Sequence, residues 1–392
     1  MGKLNYHLTS GHKNCSADLV SPEHTRQVQN FHRGMDGYAV TPLRELKNLA
    51  VELGIKGFFV KDESSRFGLN AFKALGGSYA MAKELCRRLK LPLDDKTYES
   101  LRSPETRQRL GEITFVTATD GNHGRGVAWM AARLGQKAVV YMPEGTVPER
   151  LLNIQKLGAH AEILPCNYDA CVRHAASMAK THGWILVQDT AWEGYEEIPA
   201  AIMQGYSTMA AEIRDQLPQG IIPTHLFLQA GVGSMAGAVA GWFAGLWGEN
   251  CPRIIIVEPD QANCHYQTAK AGDGKLHIVT GRMDSIMAGL CCGEPCSLSW
   301  EILKNADCFI SCGDEYTIRG MRLLGKPLGD DPKIISGESG GVTSGVAAAI
   351  LTGEELESLR HALGMDENTV VLAISTEGDT DRENYRRVME GR

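Results

Sequence analysis

Seven short runs of aliphatic and β-branched residues recur along the chain, each leading into a helical stretch. They are ITFVTAT at 113–119, KAVVYMP at 137–143, HAEILP at 160–165, WILVQDT at 184–190, THLFLQA at 224–230, RIIIVEP at 253–259 and TVVLAIS at 369–375. Strands this continuously apolar must be covered on both faces, so the rhythm predicts an α/β protein rich in parallel sheet with helices packed on either side. A length of 392 residues exceeds what one core usually organises, which predicts two domains. Residues 1–85 with 215–392 are expected to form the larger one and residues 86–214 a smaller, mobile one, with the polar 87–112 stretch as a surface excursion. Ligands of such sheets collect beyond the carboxyl ends of the strands, where loops meet helix N-termini.

Charge and hydropathy narrow the function classes. The formal net charge of −7 offers no global attraction to nucleic acid or to anionic lipid, and no apolar run approaches the ~20 residues that span a bilayer. The first residues, MGKLNYHLTSGHKNCSADLV, lack the apolar core of a secretory signal, so the expected location is the cytoplasm. Cys292, Cys296, Cys308 and Cys312 repeat a C-x3-C spacing that suits zinc on paper. The second pair, however, lies in an apolar CFISC run that reads as a strand, and no metal is expected. Whether Cys264 pairs with Cys291 or Cys292 is left open.

Six loops carry chemistry. KDESSRFGLNAFKALGG (61–77) is read as a polar loop entering a helix near Phe72, which sets Lys73 at the helix start among apolar and small residues. That placement is expected to lower the amine pKa, as a Schiff-base lysine requires; the plain alternative is a snorkelling surface lysine. TATDGNHGRG (117–126) follows a strand and opens a helix, presenting Thr119, Asp120, Gly121, Asn122 and His123 to an anionic ligand such as a carboxylate, unless Asp120 merely caps the helix. Gly231, Val232, Gly233, Ser234 and Met235 follow the THLFLQA run as a phosphate-cradling loop. The same loop satisfies the G-x-G-x-x-G/A dinucleotide pattern, with Glu258 as its ribose-binding acid, so an NAD-dependent dehydrogenase is the rival reading. Ser375 and Thr376 end the last run, Glu338 sits in SGESGGV (336–342), and Asp189 ends the WILVQDT run. A hydroxyl at a strand end can bond a pyridine nitrogen without protonating it.

Taken together and in order, these residues resemble the fold-type II pyridoxal-phosphate enzymes, the group of threonine dehydratase, serine racemase and cysteine synthase. KDESSRFGLNAFKALGG, TDGNHGRGVAW, QDTAWEGY, QAGVGSMAG, IMAGL, ISGESG and STEGDTD are most similar to the branch of that group acting on 2,3-diaminopropionate, from about residue 30 to the C-terminus. Two positions depart from the pattern, Gly341 after SGESG and Cys291 after IMAGL. The resemblance implies a homodimer whose larger domain binds pyridoxal 5'-phosphate. Lys73 would carry the cofactor with Phe72 beside it, Asn122 would bond its phenolic oxygen, Gly231 to Met235 would hold its phosphate, and Ser375 or Thr376 would face the ring nitrogen with Glu338 nearby. Hydroxyamino-acid dehydratases of the group usually carry serine where this chain has Asp120, and a carboxylate there favours a β-ammonium over a hydroxyl.

The implied reaction is α,β-elimination of D- and L-diaminopropionate to pyruvate and two ammonia, with serine or threonine dehydration as the nearer alternative. The two enantiomers present Cα–H on opposite faces of the cofactor, so two bases are needed, Lys73 and Asp120. Asp189 is expected to hold or protonate the departing amine.

Overall fold

The computed structural model describes residues 4–9, 15 and 17–391. Its strands are β1 (Asn5–Leu8), β2 (Leu43–Glu45), β3 (Gly57–Asp62), β4 (Thr114–Ala118), β5 (Lys137–Met142), β6 (His160–Ile163), β7 (Ile185–Leu186), β8 (His225–Gln229), β9 (Arg253–Pro259), β10 (Cys308–Cys312) and β11 (Val370–Ser375). Each of the seven apolar runs contains one of them. They form a seven-stranded sheet ordered β1-β10-β9-β8-β11-β3-β2 and a four-stranded sheet ordered β6-β5-β4-β7. The five inner strands of the large sheet run parallel, with β1 and β2 antiparallel at its edges, and the small sheet is parallel throughout. Cys308 and Cys312 are therefore strand residues, and Cys264, Cys291 and Cys292 form no disulfide among the described residues.

β3 escapes the sequence reading for a physical reason. Its run, GFFVKD, ends in two charged residues and reads as loop, yet all six positions are buried. Lys61 is tolerated there because its Nζ pairs with Glu212 Oε2 at 2.7 Å and donates to Thr41 O at 2.6 Å and Gln216 Oε1 at 2.9 Å. Arg66 joins the same network through Glu63 and Glu212, each at 2.7–2.8 Å. A buried charge survives where its partners are complete.

The polar 87–112 stretch holds two short helices, Thr97–Arg102 and Pro104–Leu110. The strands of the small sheet fall inside residues 86–214, but the limit at 214 cuts a helix. Glu197–Gln216 packs on the helices Ala74–Leu89 and Ser234–Trp247. Where Glu197–Gln216 meets Ala74–Leu89, glycines allow backbone to touch backbone: a Cβ on Gly205 would stand 2.5 Å from Leu75 O and 2.7 Å from Gly76 Cα. Gly205→Ala is expected to destabilise the protein by about 1–3 kcal/mol through overpacking, read as a lower denaturant midpoint at unchanged slope.

Candidate active site

The lysine loop is fastened to the end of β11. Downstream of β3 the chain turns through Phe67 and Asn70, both left-handed (φ 51° and 58°). Phe72 N–H then donates to Thr376 O at 3.1 Å, and Gly378 N–H donates to Asn70 O at 3.0 Å. Lys73 follows as the residue before the helix Ala74–Leu89. The loops after β4, β7, β8 and β11 reach the same place, as expected for strand carboxyl ends. One cavity is lined by Phe72, Lys73, Thr119, Asp120, Asn122, His123, Asp189, the Gly231–Met235 loop and Thr376.

Within it Lys73 Nζ donates to Asp189 Oδ2. Burial pulls the Lys73 amine down, but Asp189, with Asp120 adding to it, more than reverses this, and the amine stands above its ordinary value. That corrects the expectation of a lowered amine, because helix start and apolar flanks count for less than a carboxylate in contact. Burial alone would raise Asp189, yet Lys73 and His123 hold it below the usual carboxylate range. In this arrangement Asp189 stands as the anionic partner of Lys73. Tyr168 O–H donates to Asp189 Oδ1 at 3.2 Å. His123 Nε2 bonds Val187 O at 2.7 Å, while its buried Nδ1 has no hydrogen-bond partner among the described residues. Burial holds that imidazole below its ordinary pKa.

The Gly231–Met235 loop fits a phosphate. Gly233 is left-handed (φ 95°), and a Cβ there would stand 2.4 Å from His265 Nε2; a Cβ on Gly231 would stand 3.0 Å from Gly289 O. The helix Ser234–Trp247 begins inside the loop, and the first N–H groups of a helix lack intrahelical partners, a natural seat for a dianion. Gln229, whose buried Oε1 has no hydrogen-bond partner among the described residues, also lines the cavity. These features, with one lysine amine beside them, suit pyridoxal phosphate.

The remaining assignments divide. Thr376 lines the cavity and its Oγ1 accepts from Gln229 Nε2 at 3.0 Å, whereas Ser375 turns away and donates to Ser336 Oγ at 2.8 Å. Glu338 also lies off the cavity, bonded by Asn384 Nδ2 at 2.5 Å, and burial next to Glu377 raises its carboxyl to about 7. Gly121 does not line this cavity; it shapes the turn, its N–H donating to Thr119 Oγ1 at 2.9 Å. Asn122 Nδ2 donates to Glu377 Oε2. Asp120 does not cap the following helix, whose preceding residue is Gly121. Tyr168, Gln229, Ser339 and Glu377 line the site without having been singled out. Glu377 was within reach, one residue beyond Thr376; Tyr168 heads a helix with no local pattern to mark it.

Residues 35–376 match the family model described as pyridoxal-phosphate dependent enzyme, and the chain belongs to that family. It is 50% identical over 367 residues to diaminopropionate ammonia-lyase of Salmonella typhimurium (strain LT2), covering 93% of this chain and 91% of that one. The Escherichia coli (strain K12) diaminopropionate ammonia-lyase is 50% identical over 377 residues, 95% of this chain and 93% of its own. The crystal structure of the Escherichia coli enzyme in complex with an aminoacrylate-PLP azomethine reaction intermediate superposes with a TM-score of 0.91 at 46% identity, covering 100% of this chain and 98% of that one. Among the pyridoxal-phosphate enzymes, the chain's place is with the diaminopropionate ammonia-lyases. The nucleotide reading falls with this, and the geometry says why. Glu258 accepts from the backbone N–H groups of His265 and Tyr266 at 2.9 and 2.7 Å and from His265 Nδ1 at 2.9 Å, so its carboxylate is spent on capping a helix.

Proposed function

We infer that the chain eliminates ammonia from 2,3-diaminopropionate to give pyruvate and a second ammonia. The observation that carries this is the Asp120 carboxylate, which shares the cavity with Lys73 and spends no hydrogen bond on any described residue. When bound, pyridoxal phosphate supplies the electron sink that stabilises negative charge at Cα. Lys73 would hold its aldehyde carbon, Gly231 to Met235 its phosphate, and Asn122 and Thr376 its ring.

The chain's own groups then divide the work. The Lys73 amine removes the Cα proton of one enantiomer and Asp120 that of the other. A β-ammonium set against Asp120 leaves as neutral ammonia, carrying away the C–N electron pair, so no added acid is needed. That leaves Asp189 to orient the Lys73 side chain, with Tyr168 O–H fixing Asp189. Aminoacrylate, once released, takes up water to give pyruvate and ammonia. In this reading the unit around the four-stranded sheet closes over the amino acid, and the enzyme works as a cytoplasmic homodimer; the net charge of −7 supports a free amino acid rather than nucleic acid as its partner. No helix of the described residues is long and apolar enough to cross a membrane.

The test is the visible spectrum of the purified protein with pyruvate release from D- and L-diaminopropionate and from L-serine. A yellow protein releasing pyruvate far faster from diaminopropionate is the expected result. Preference for serine would replace the reading with serine dehydration.

A further inference from the structure

Asp120 stands on a turn, and its carboxylate has one ion-pair partner among the described residues, Arg150, whose Nη1 lies 3.6 Å from Asp120 Oδ2. Arg150 belongs to the helix Pro148–Gln155 and is only 8% exposed. Its aliphatic stem lies along Gly121, where a Cβ would come within 3.0 Å of Arg150 Cδ and 3.4 Å of Cγ. Its guanidinium makes no hydrogen bond among the described residues, and the buried Nε has no acceptor. Burial disfavours its charge, and Asp120, ahead of Glu377, Glu338 and Asp381, more than offsets this. Asp120 lines both the inner cavity and a second one that Arg150 and Glu338 also line.

We propose that Arg150 is a specificity-determining positioning residue, which holds Asp120 where it meets a substrate ammonium. The proposal rests on the functional reading above and extends it to a residue that touches neither cofactor nor reacting atoms. A separation of 3.6 Å places the guanidinium close enough to orient the carboxylate by charge, yet too far to occupy its lone pairs, which stay free for the β-ammonium. Arg150 also repels that ammonium. The attraction wins because the ammonium meets Asp120 at hydrogen-bond distance and Arg150 only beyond it, and Coulomb energy falls with separation. The carboxylates of Glu377 and Asp381 screen the guanidinium further.

Two variants separate charge from shape. Arg150→Met keeps the methylene stem against Gly121 and removes the charge; Arg150→Lys keeps a cation. Both are assayed as holoenzyme, with kcat and KM on diaminopropionate and on L-serine and the visible spectrum as the check on cofactor loading. In the Met variant the KM for diaminopropionate is expected to rise, lowering the diaminopropionate-to-serine ratio of kcat/KM about tenfold, with the Lys variant restoring most of it. An unchanged ratio in Arg150→Met overturns the proposal, as does an Arg150→Lys variant that falls as far. A wild-type enzyme that prefers serine overturns the functional reading and this proposal together.

Discussion

Lys73→Ala is expected to abolish turnover of diaminopropionate, lowering kcat by about a thousandfold or more, and to remove the visible band of the holoenzyme. The lysine carries two functions at once, the covalent hold on the cofactor and a base at Cα, and a positioned base alone contributes about 10²–10⁴-fold. A second consequence follows from its partner. Asp189 is 1% exposed and bonded to Lys73, so truncating the lysine strands a buried carboxylate, a loss of about 3–5 kcal/mol for a broken buried pair. The double variant Lys73→Ala/Asp189→Asn removes that charge and is expected to regain stability while remaining inactive. Thermal unfolding followed by circular dichroism reads the first quantity and pyruvate release the second. Residual activity in Lys73→Ala above a few per cent would contradict the assignment outright.

Asp120→Asn keeps the size of the side chain and removes its charge. Two separate losses are expected. The advantage of a β-ammonium over a β-hydroxyl falls by the worth of a charge-assisted hydrogen bond, about 1.5–3 kcal/mol, which is roughly 10- to 150-fold in the diaminopropionate-to-serine ratio of kcat/KM. The base for one enantiomer also disappears, so the D reaction is expected to fall by about 10²–10⁴-fold while the L reaction, served by Lys73, falls far less. Steady-state kinetics on the pure enantiomers reads both. Equal loss on D and L would reduce Asp120 to a binding residue, and an unchanged substrate ratio would remove it from recognition.

Where local pattern and tertiary role coincide, the sequence was a sufficient guide. The glycine loop at 231–235 is legible because its strand, its left-handed Gly233 and its helix are contiguous, and the Thr119–His123 loop follows the same logic. Legibility fails where a residue is defined by a distant partner. Lys61 looks like loop until Glu212 neutralises it inside a strand. The ionisation of Lys73 and Asp189 is set by a contact across 116 positions, so neither the lowered amine nor the donating carboxyl could be judged from its neighbours in the chain. Glu338 and Ser375 were placed by their motifs, but the direction of a side chain is decided by packing: one turns toward Asn384, the other toward Ser336. Glu258 had the right spacing for a ribose and the wrong surroundings.

The order of strands in the large sheet also bears on how the chain comes to be folded as it is made. β3, complete by residue 62, pairs along one edge with the nearby β2, but its other edge is matched by β11, which ends at residue 375. A strand buried at every position thus emerges from the ribosome long before its neighbour is synthesised, and at ~5–20 residues per second the wait lasts on the order of 15–60 seconds. Until then β3 presents apolar side chains and an unpaired ladder, the kind of edge that invites pairing with another chain. The seat of Lys73, fastened to the residues just after β11, is therefore among the last parts of the molecule to exist, and the cofactor has nowhere to dock on a nascent chain.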